Sequence, residues 1–171
     1  MSSYVRGDAG AFRQLFDRYA PRVRGMLRAT VRDEDVAHDL TQQTFFQLHR
    51  ARHDFREGAA LRPWLMTIAY NLRRDHLRAA GRRRMVPLLE ETHAVAAEQG
   101  SSLEQQRAAR RVREAVGRLG AKQREVIELH WFAEMPFEEV AQVLGIGRST
   151  AKVRAHRGYQ QLRALLGEVE R

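Results

Sequence analysis

Cysteine is absent from the 171 residues, so this chain has no disulfide framework, no thiolate zinc site and no cysteine nucleophile. Any metal would have to rest on histidine and carboxylate. Lysine is scarce too: the formal net charge of +9 and the pI near 11.0 come almost wholly from arginine. Arginine favours planar, bidentate contact with phosphates and guanine edges, so a polyanion is the expected partner. Long apolar runs are also lacking. None approaches the roughly eighteen residues of a membrane span, and Met1 to Gly10 has no apolar core of a signal peptide. The expectation is a soluble, cytoplasmic protein with no membrane insertion. Strand signals are almost missing, because apolar residues recur at intervals of three and four.

What remains is an all-α pattern that divides into two small helical domains joined by a flexible linker. Asp8 reads as the N-cap of a helix whose buried stripe is Phe12, Leu15, Phe16, Tyr19, Val23, Met26 and Leu27, kinked at Pro21. A second helix from about Asp35 carries Val36, Leu40, Phe45 and Leu48 and stops before a polar loop at His53 to Gly58. Pro63 fits a first helical turn, and Trp64, Leu65, Ile68, Ala69, Leu72 and Leu77 line a third helix. From Met85 to Ser102 periodicity is lost around Pro87, Gly100 and a serine pair, which marks the linker. Beyond it, Val112, Val116 and Leu119 mark one helix, and Val126, Ile127, Leu129 and Trp131 a second. Phe137, Val140, Ala141 and Leu144 mark a third, and a last helix starts near Ser149.

The run from Phe137 to Arg154 has helix-turn-helix spacing. A short amphipathic helix is followed by Gly145, which can take positive φ, an apolar plug at Ile146, and a second helix under which Ala141 can pack closely. At about 100° per residue, Ala151, Ala155 and Leu162 share one face of that second helix. Ser149, Val153, His156 and Arg157 lie roughly opposite, with Lys152 on the flank. Arg148, Lys152, Arg154 and Arg157 place four positive charges in ten residues with no acid between them. The outward face therefore suits DNA. The motif alone does not separate a repressor, an activator and a polymerase subunit.

The N-terminal half supplies a second surface. Asp39, Gln42 and Gln43 fall outward on a helix whose Leu40 and Phe45 point in. Downstream, Phe55, Arg56, Trp64, Asn71, Arg74 and Arg78 interleave aromatics with arginine and amide, a combination that suits unstacked bases and a phosphate track. From Arg73 to Arg84, six arginines stand against one aspartate and form a basic ridge. His49 and His53 have a spacing that can share a metal, but no thiolate supports a site, and the reading is no metal and no cofactor. Glu90 and Glu91 in the linker are no catalytic pair, and there is neither a phosphate-binding glycine loop nor a nucleophile with an orienting base. The chain reads as a non-enzyme.

In order and spacing these segments resemble the extracytoplasmic-function branch of the sigma factors. Gly7-Asp8 through Ala11-Phe12 is similar to the entry of region two, Asp39-Leu40 with Gln42 and Phe45 to its polymerase-binding helix, and Phe55-Arg56 with Trp64-Leu65 to its promoter-melting loop and helix. Ile68-Ala69, Asn71-Leu72 and Asp75-His76-Leu77 continue the match, and Gln123-Arg124-Glu125-Val126 with the helix-turn-helix resembles region four. The resemblance implies region two over residues 1–84, a linker over 85–102 and region four over 103–171. It implies that Asp39, Gln42 and Gln43 face core RNA polymerase, which would be held through its clamp coiled coil and flap. Phe55, Arg56, Trp64, Asn71, Arg74 and Arg78 would meet the minus-ten element, the Phe55–Leu61 loop and Asn71 holding an extruded base. Arg148, Ser149, Lys152, Val153, Arg154, His156 and Arg157 would meet the minus-thirty-five duplex. Promoter DNA and an anti-sigma protein are the further implied partners. The chain departs from the family pattern in three ways: no helical turn precedes Gly7, Pro136 replaces a common capping serine, and Ala151 and Ala155 replace branched residues. A free-standing helix-turn-helix regulator working without polymerase is the alternative, and a helical adaptor with incidental charge a third.

Overall fold

The computed structural model describes residues 1–6, 8–31, 33–83 and 102–167, and among them every regular element is helical. The chain forms two compact units, Met1–Ala94 and Val95–Arg171. The expected linker falls outside the described residues except for Ser102.

Unit 1 contains α1 (Ser2–Val5), α2 (Ala9–Val31), α3 (Glu34–Arg50), a short 3₁₀ turn over Arg52–Asp54, and α4 (Leu61–Arg83). The first of these is a correction, since the sequence showed no helical turn ahead of Gly7. Tyr4 of α1 is buried; its ring lies 5.2 Å from Phe12 and its hydroxyl bonds His49 Nδ1. Asp8 caps α2 as expected, its carboxylate accepting from the Ala11 amide at 3.2 Å. The cap of α3 is Asp33, which accepts from the Val36 amide, and Glu34 and Asp35 place negative charge on the first turn. Glu34 also binds Arg28 at 2.6 Å and Arg24, tying α3 to α2. Inside, Val23, Met26 and Leu27 of α2 meet Ala37, Leu40, Phe45 and Leu48 of α3 and Leu65, Met66, Ala69 and Tyr70 of α4. Thr41 and Thr44 are buried with them, each hydroxyl donating to the carbonyl four residues back at 2.7 Å, so no polar atom of theirs is left unmatched.

Three expectations about this core change. Phe16 is 38% exposed, while Phe12, Leu15 and Tyr19 are half-buried, because α2 extends past the part of α3 that covers it. Leu77 lies at the exposed end of α4. Arg73 leaves the basic ridge: it is only 5% exposed, with its guanidinium over the Tyr70 ring at 5.2 Å and Nη1 3.3 Å from the Tyr70 hydroxyl.

Unit 2 contains α5 (Leu103–Gly117), α6 (Ala121–Ile127), α7 (Phe137–Leu144) and α8 (Arg148–Gly167). Ser102 and Gln105 form a capping box at the start of α5, each side chain accepting from the other's backbone amide. Continuing from α6, the backbone widens into a π-type turn over Glu128–Phe132, with the Ala133 amide donating to the Glu128 carbonyl five residues back. The widening accounts for a further correction: Trp131, expected among the apolar helix positions, is 51% exposed, whereas Ala133 and Met135 are buried. After the turn Glu134 takes φ 52°, and His130 Nδ1 donates to the Met135 carbonyl at 2.6 Å while its ring stacks on Phe137. These contacts fix where α7 begins despite the absence of a side-chain cap at Pro136.

Candidate nucleic-acid interface

Helix α7 ends at Gly145, whose φ of 63° and ψ of 36° suit a residue without Cβ. The Ile146 amide donates to the Ala141 carbonyl at 3.0 Å and the Gly145 amide to the Gln142 carbonyl at 3.3 Å. That pair of bonds is a Schellman ending, which closes off α7 and launches α8 at a defined angle. The turn read at Gly145 is therefore present in the structure.

Helix α8 rests on Ala151, Ala155, Gly158 and Leu162, all buried. Gly158 was not anticipated. A Cβ built there would lie 3.1 Å from Ile127 Cγ1, tighter than ordinary contact, so α8 and α6 approach at a distance that only glycine accommodates without movement. The opposite face is open: Arg148, Ser149, Lys152, Val153, His156 and Arg157 are exposed. Arg154 is half-buried and stands on the flank away from Lys152. Arg148 lies 3.7 Å from Glu138 at the start of α7, both of them largely exposed. On the Lys152 flank Trp131 sits 6.2 Å from the Tyr159 ring; burial raises the Tyr159 phenol pKa above its ordinary value, and a hydrogen bond from Trp131 works against that rise.

In unit 1, α3 presents Asp39, Gln42 and Gln43 to solvent, with the Gln42 amide donating to His38 Nε2 at 2.7 Å. Phe46, absent from the sequence reading, joins them at 62% exposed beneath the Arg50 guanidinium. It forms one wall of an open groove of about 600 Å³ whose other walls include Tyr4, Phe12, Phe16, Phe45 and His49. The two histidines that could have shared a metal are separated by the end of α3 at Arg50, which leaves His53 in the 3₁₀ turn. Among the described residues no three His, Asp or Glu side chains cluster as metal ligands would.

Beyond that turn, Phe55 packs its ring 5.1 Å from Trp64 and Arg56 is exposed. Trp64, Asn71, Arg74 and Arg78 share one side of α4, within about 80° at 100° per residue. The last three are exposed and Trp64 is half-buried. Arg74 Nη2 donates to Asn71 Oδ1 at 3.2 Å, so the amide is oriented by its neighbour. The residues expected at one surface are thus brought to one side of α4, next to the loop that carries Phe55 and Arg56.

Two family descriptions match: Sigma-70 region 2 over residues 15–83 and Sigma-70, region 4 over residues 115–164. The RNA polymerase sigma factor CarQ of Myxococcus xanthus is 38% identical over 99% of this chain and 97% of its own length. The ECF RNA polymerase sigma factor SigM of Mycobacterium tuberculosis is 32% identical over 98% of this chain and 83% of its own. The chain belongs to the extracytoplasmic-function sigma-70 family. Two solved sigma-factor structures resemble it. CnrH in complex with the cytosolic domain of CnrY is 27% identical with a TM-score of 0.77, over 98% of this chain and 94% of that one. RpoE of Bartonella quintana, in complex with the anti-sigma factor NepR, is 29% identical with a TM-score of 0.76, over 94% of this chain and 99% of that one. Unit 1 thus carries region 2 and unit 2 carries region 4. No helix among the described residues is long and apolar enough to cross a membrane.

Proposed function

We propose that this sigma factor binds core RNA polymerase in the cytoplasm and directs it to a set of promoters, doing no bond chemistry itself. The observation that carries this reading is the pairing, in one chain, of two surfaces with different chemistry. Region 4 offers a helix-turn-helix whose exposed α8 face is basic and polar, as duplex reading requires. Region 2 offers aromatics, an oriented amide and arginines beside a loop, as capture of unstacked bases requires. Arg148, Ser149, Lys152, Val153, His156 and Arg157 contact the minus-thirty-five duplex, and Arg154 contacts a groove wall. Phe55, Arg56, Trp64, Asn71, Arg74 and Arg78 handle the minus-ten element, where extruding a base costs a few kcal/mol that pocket contacts offset. Asp39, Gln42 and Gln43 dock on polymerase. An anti-sigma protein is the proposed regulator; the CnrH and RpoE structures are both complexes of a sigma factor with a second protein.

Reconstitution with core polymerase tests this directly. The expected outcome is promoter-dependent transcription, with the double variant Asp39→Ala, Gln42→Ala folded but retained far less in a core-polymerase pull-down. Tight, sequence-selective duplex binding by the isolated chain, with no polymerase association, would instead establish a free-standing regulator.

A further inference from the structure

We propose that Val153 reads the 5-methyl group of a thymine in the duplex that α8 enters, an inference that rests on the duplex-reading role proposed above for that helix. The roll of α8 about its own axis is fixed by its seat. Ala151, Ala155, Gly158 and Leu162 face inward, and the close approach of Gly158 to Ile127 leaves no room for the helix to rotate. At about 100° per residue, Val153 stands about 170° from the middle of that stripe, at the crest of the outward face. It is 50% exposed, and its neighbours there, Ser149, Lys152, His156 and Arg157, all carry hydrogen-bonding groups. A single hydrocarbon side chain at the crest of a polar face has nothing within unit 2 to cover it.

Valine branches at Cβ and in a helix holds one dominant χ1 rotamer, so the backbone alone sets the position of its two methyl groups. Facing a major groove, such a side chain can neither donate to nor accept from a base edge. Against adenine, guanine or cytosine it would strip water from a polar edge and return nothing. The thymine methyl is the one hydrocarbon group the four standard bases present in that groove, so thymine is the base Val153 favours. The surrounding cations would hold the phosphates and polar edges, leaving this one position to be read by shape and hydrophobicity.

The test uses the full chain assembled with core RNA polymerase. Duplexes are first selected from a library randomised across the minus-thirty-five region. In the selected duplex each thymine is then replaced singly by uracil, which removes the methyl and keeps every hydrogen-bonding group. Binding is compared for the parent and for Val153→Ala, an exposed helical position where alanine preserves the fold. At one thymine the parent should lose about fourfold in affinity, the ratio expected for one buried methyl, while Val153→Ala binds thymine and uracil alike. Any effect of the methyl on DNA stacking is common to both proteins and cancels in the comparison. If every replacement affects parent and variant equally, or the selected region contains no thymine, the inference fails while duplex reading by α8 stands. If selection yields no preferred sequence, duplex reading fails and this inference with it.

Discussion

Region 4 and region 2 expose side chains on helices that are seated in different ways. In region 4, α8 sits on alanines and a glycine, its backbone close to Ile127, and nearly everything pointing outward is polar or charged. In region 2, α2, α3 and α4 are held apart by large side chains such as Met26, Leu48 and Leu65, and the aromatic layer continues past the edge of the core into Phe16 and Phe46. The contrast separates two ways of making a surface. A small-residue seat fixes the azimuth of a rigid reading helix, whereas a large-residue core lets its own hydrophobic fringe become part of the exposed face.

The largest expected effect tests the large-residue core. Leu48→Ala empties a fully buried position of α3 and should cost about 2 to 5 kcal/mol. Calorimetry should show the region 2 transition falling while that of region 4 stays; a common shift would mean the two units do not melt independently. Phe16→Ala, at the groove wall, should cost about 1 kcal/mol by comparison.

On the other side of the comparison, Gly158→Leu forces a side chain against Ile127 and should destabilise region 4 by about 1 to 3 kcal/mol, read from urea denaturation followed at Trp131. A neutral result would show that α8 can shift on its seat, which would also loosen the azimuth assigned to Val153. Lys152→Ala and Arg157→Ala should each weaken minus-thirty-five-dependent promoter binding by about 1 to 3 kcal/mol if they touch base edges. Their melting temperatures should match the parent's. Equal transcription by both variants from a promoter that needs that element would remove the reading face from α8. The smallest effect concerns Glu134, held at φ 52°. A left-handed conformation costs an L-residue about 1 to 2 kcal/mol, and glycine's greater freedom in the unfolded chain returns part of that. Glu134→Gly should therefore raise region 4 stability by about 0.5 to 1 kcal/mol, measured by the same denaturation.

How much of this the residues announced depended on the physics behind each signal. Asp8 as a cap and Gly145 as a turn were legible because each has a local cause, an amide to accept from and a positive φ to adopt. The α8 azimuth was legible because a small-residue stripe opposite charges leaves one arrangement. Phe16 and Trp131 were misread as core because an aromatic fits helical periodicity equally well whether its ring is covered or left open. Arg73 was misread as surface: its neighbours are arginines, but at 100° per residue it falls among Leu65, Ala69 and Tyr70. Nothing in the pattern marked Gly158, since close packing depends on what the opposing helix brings, here Ile127. The functional assignments rested on the order of many weak motifs, which periodicity alone could not have supplied.

The wide turn at Glu128–Phe132 holds one residue more than an α-helix would, and that surplus makes this stretch sensitive to length rather than to composition. Removing one residue there would rotate everything downstream by about 100° relative to α6. Met135 and Val140 would swing out of the core, and the His130 bond to Met135 that starts α7 would be lost. Substitutions across the turn are absorbed locally, but a single-codon deletion is not. Sequence drift at this point of the molecule should therefore accept replacements freely and reject insertions and deletions, a bias that a deletion scan through residues 128–132, scored by soluble yield against a matched substitution scan, would make visible.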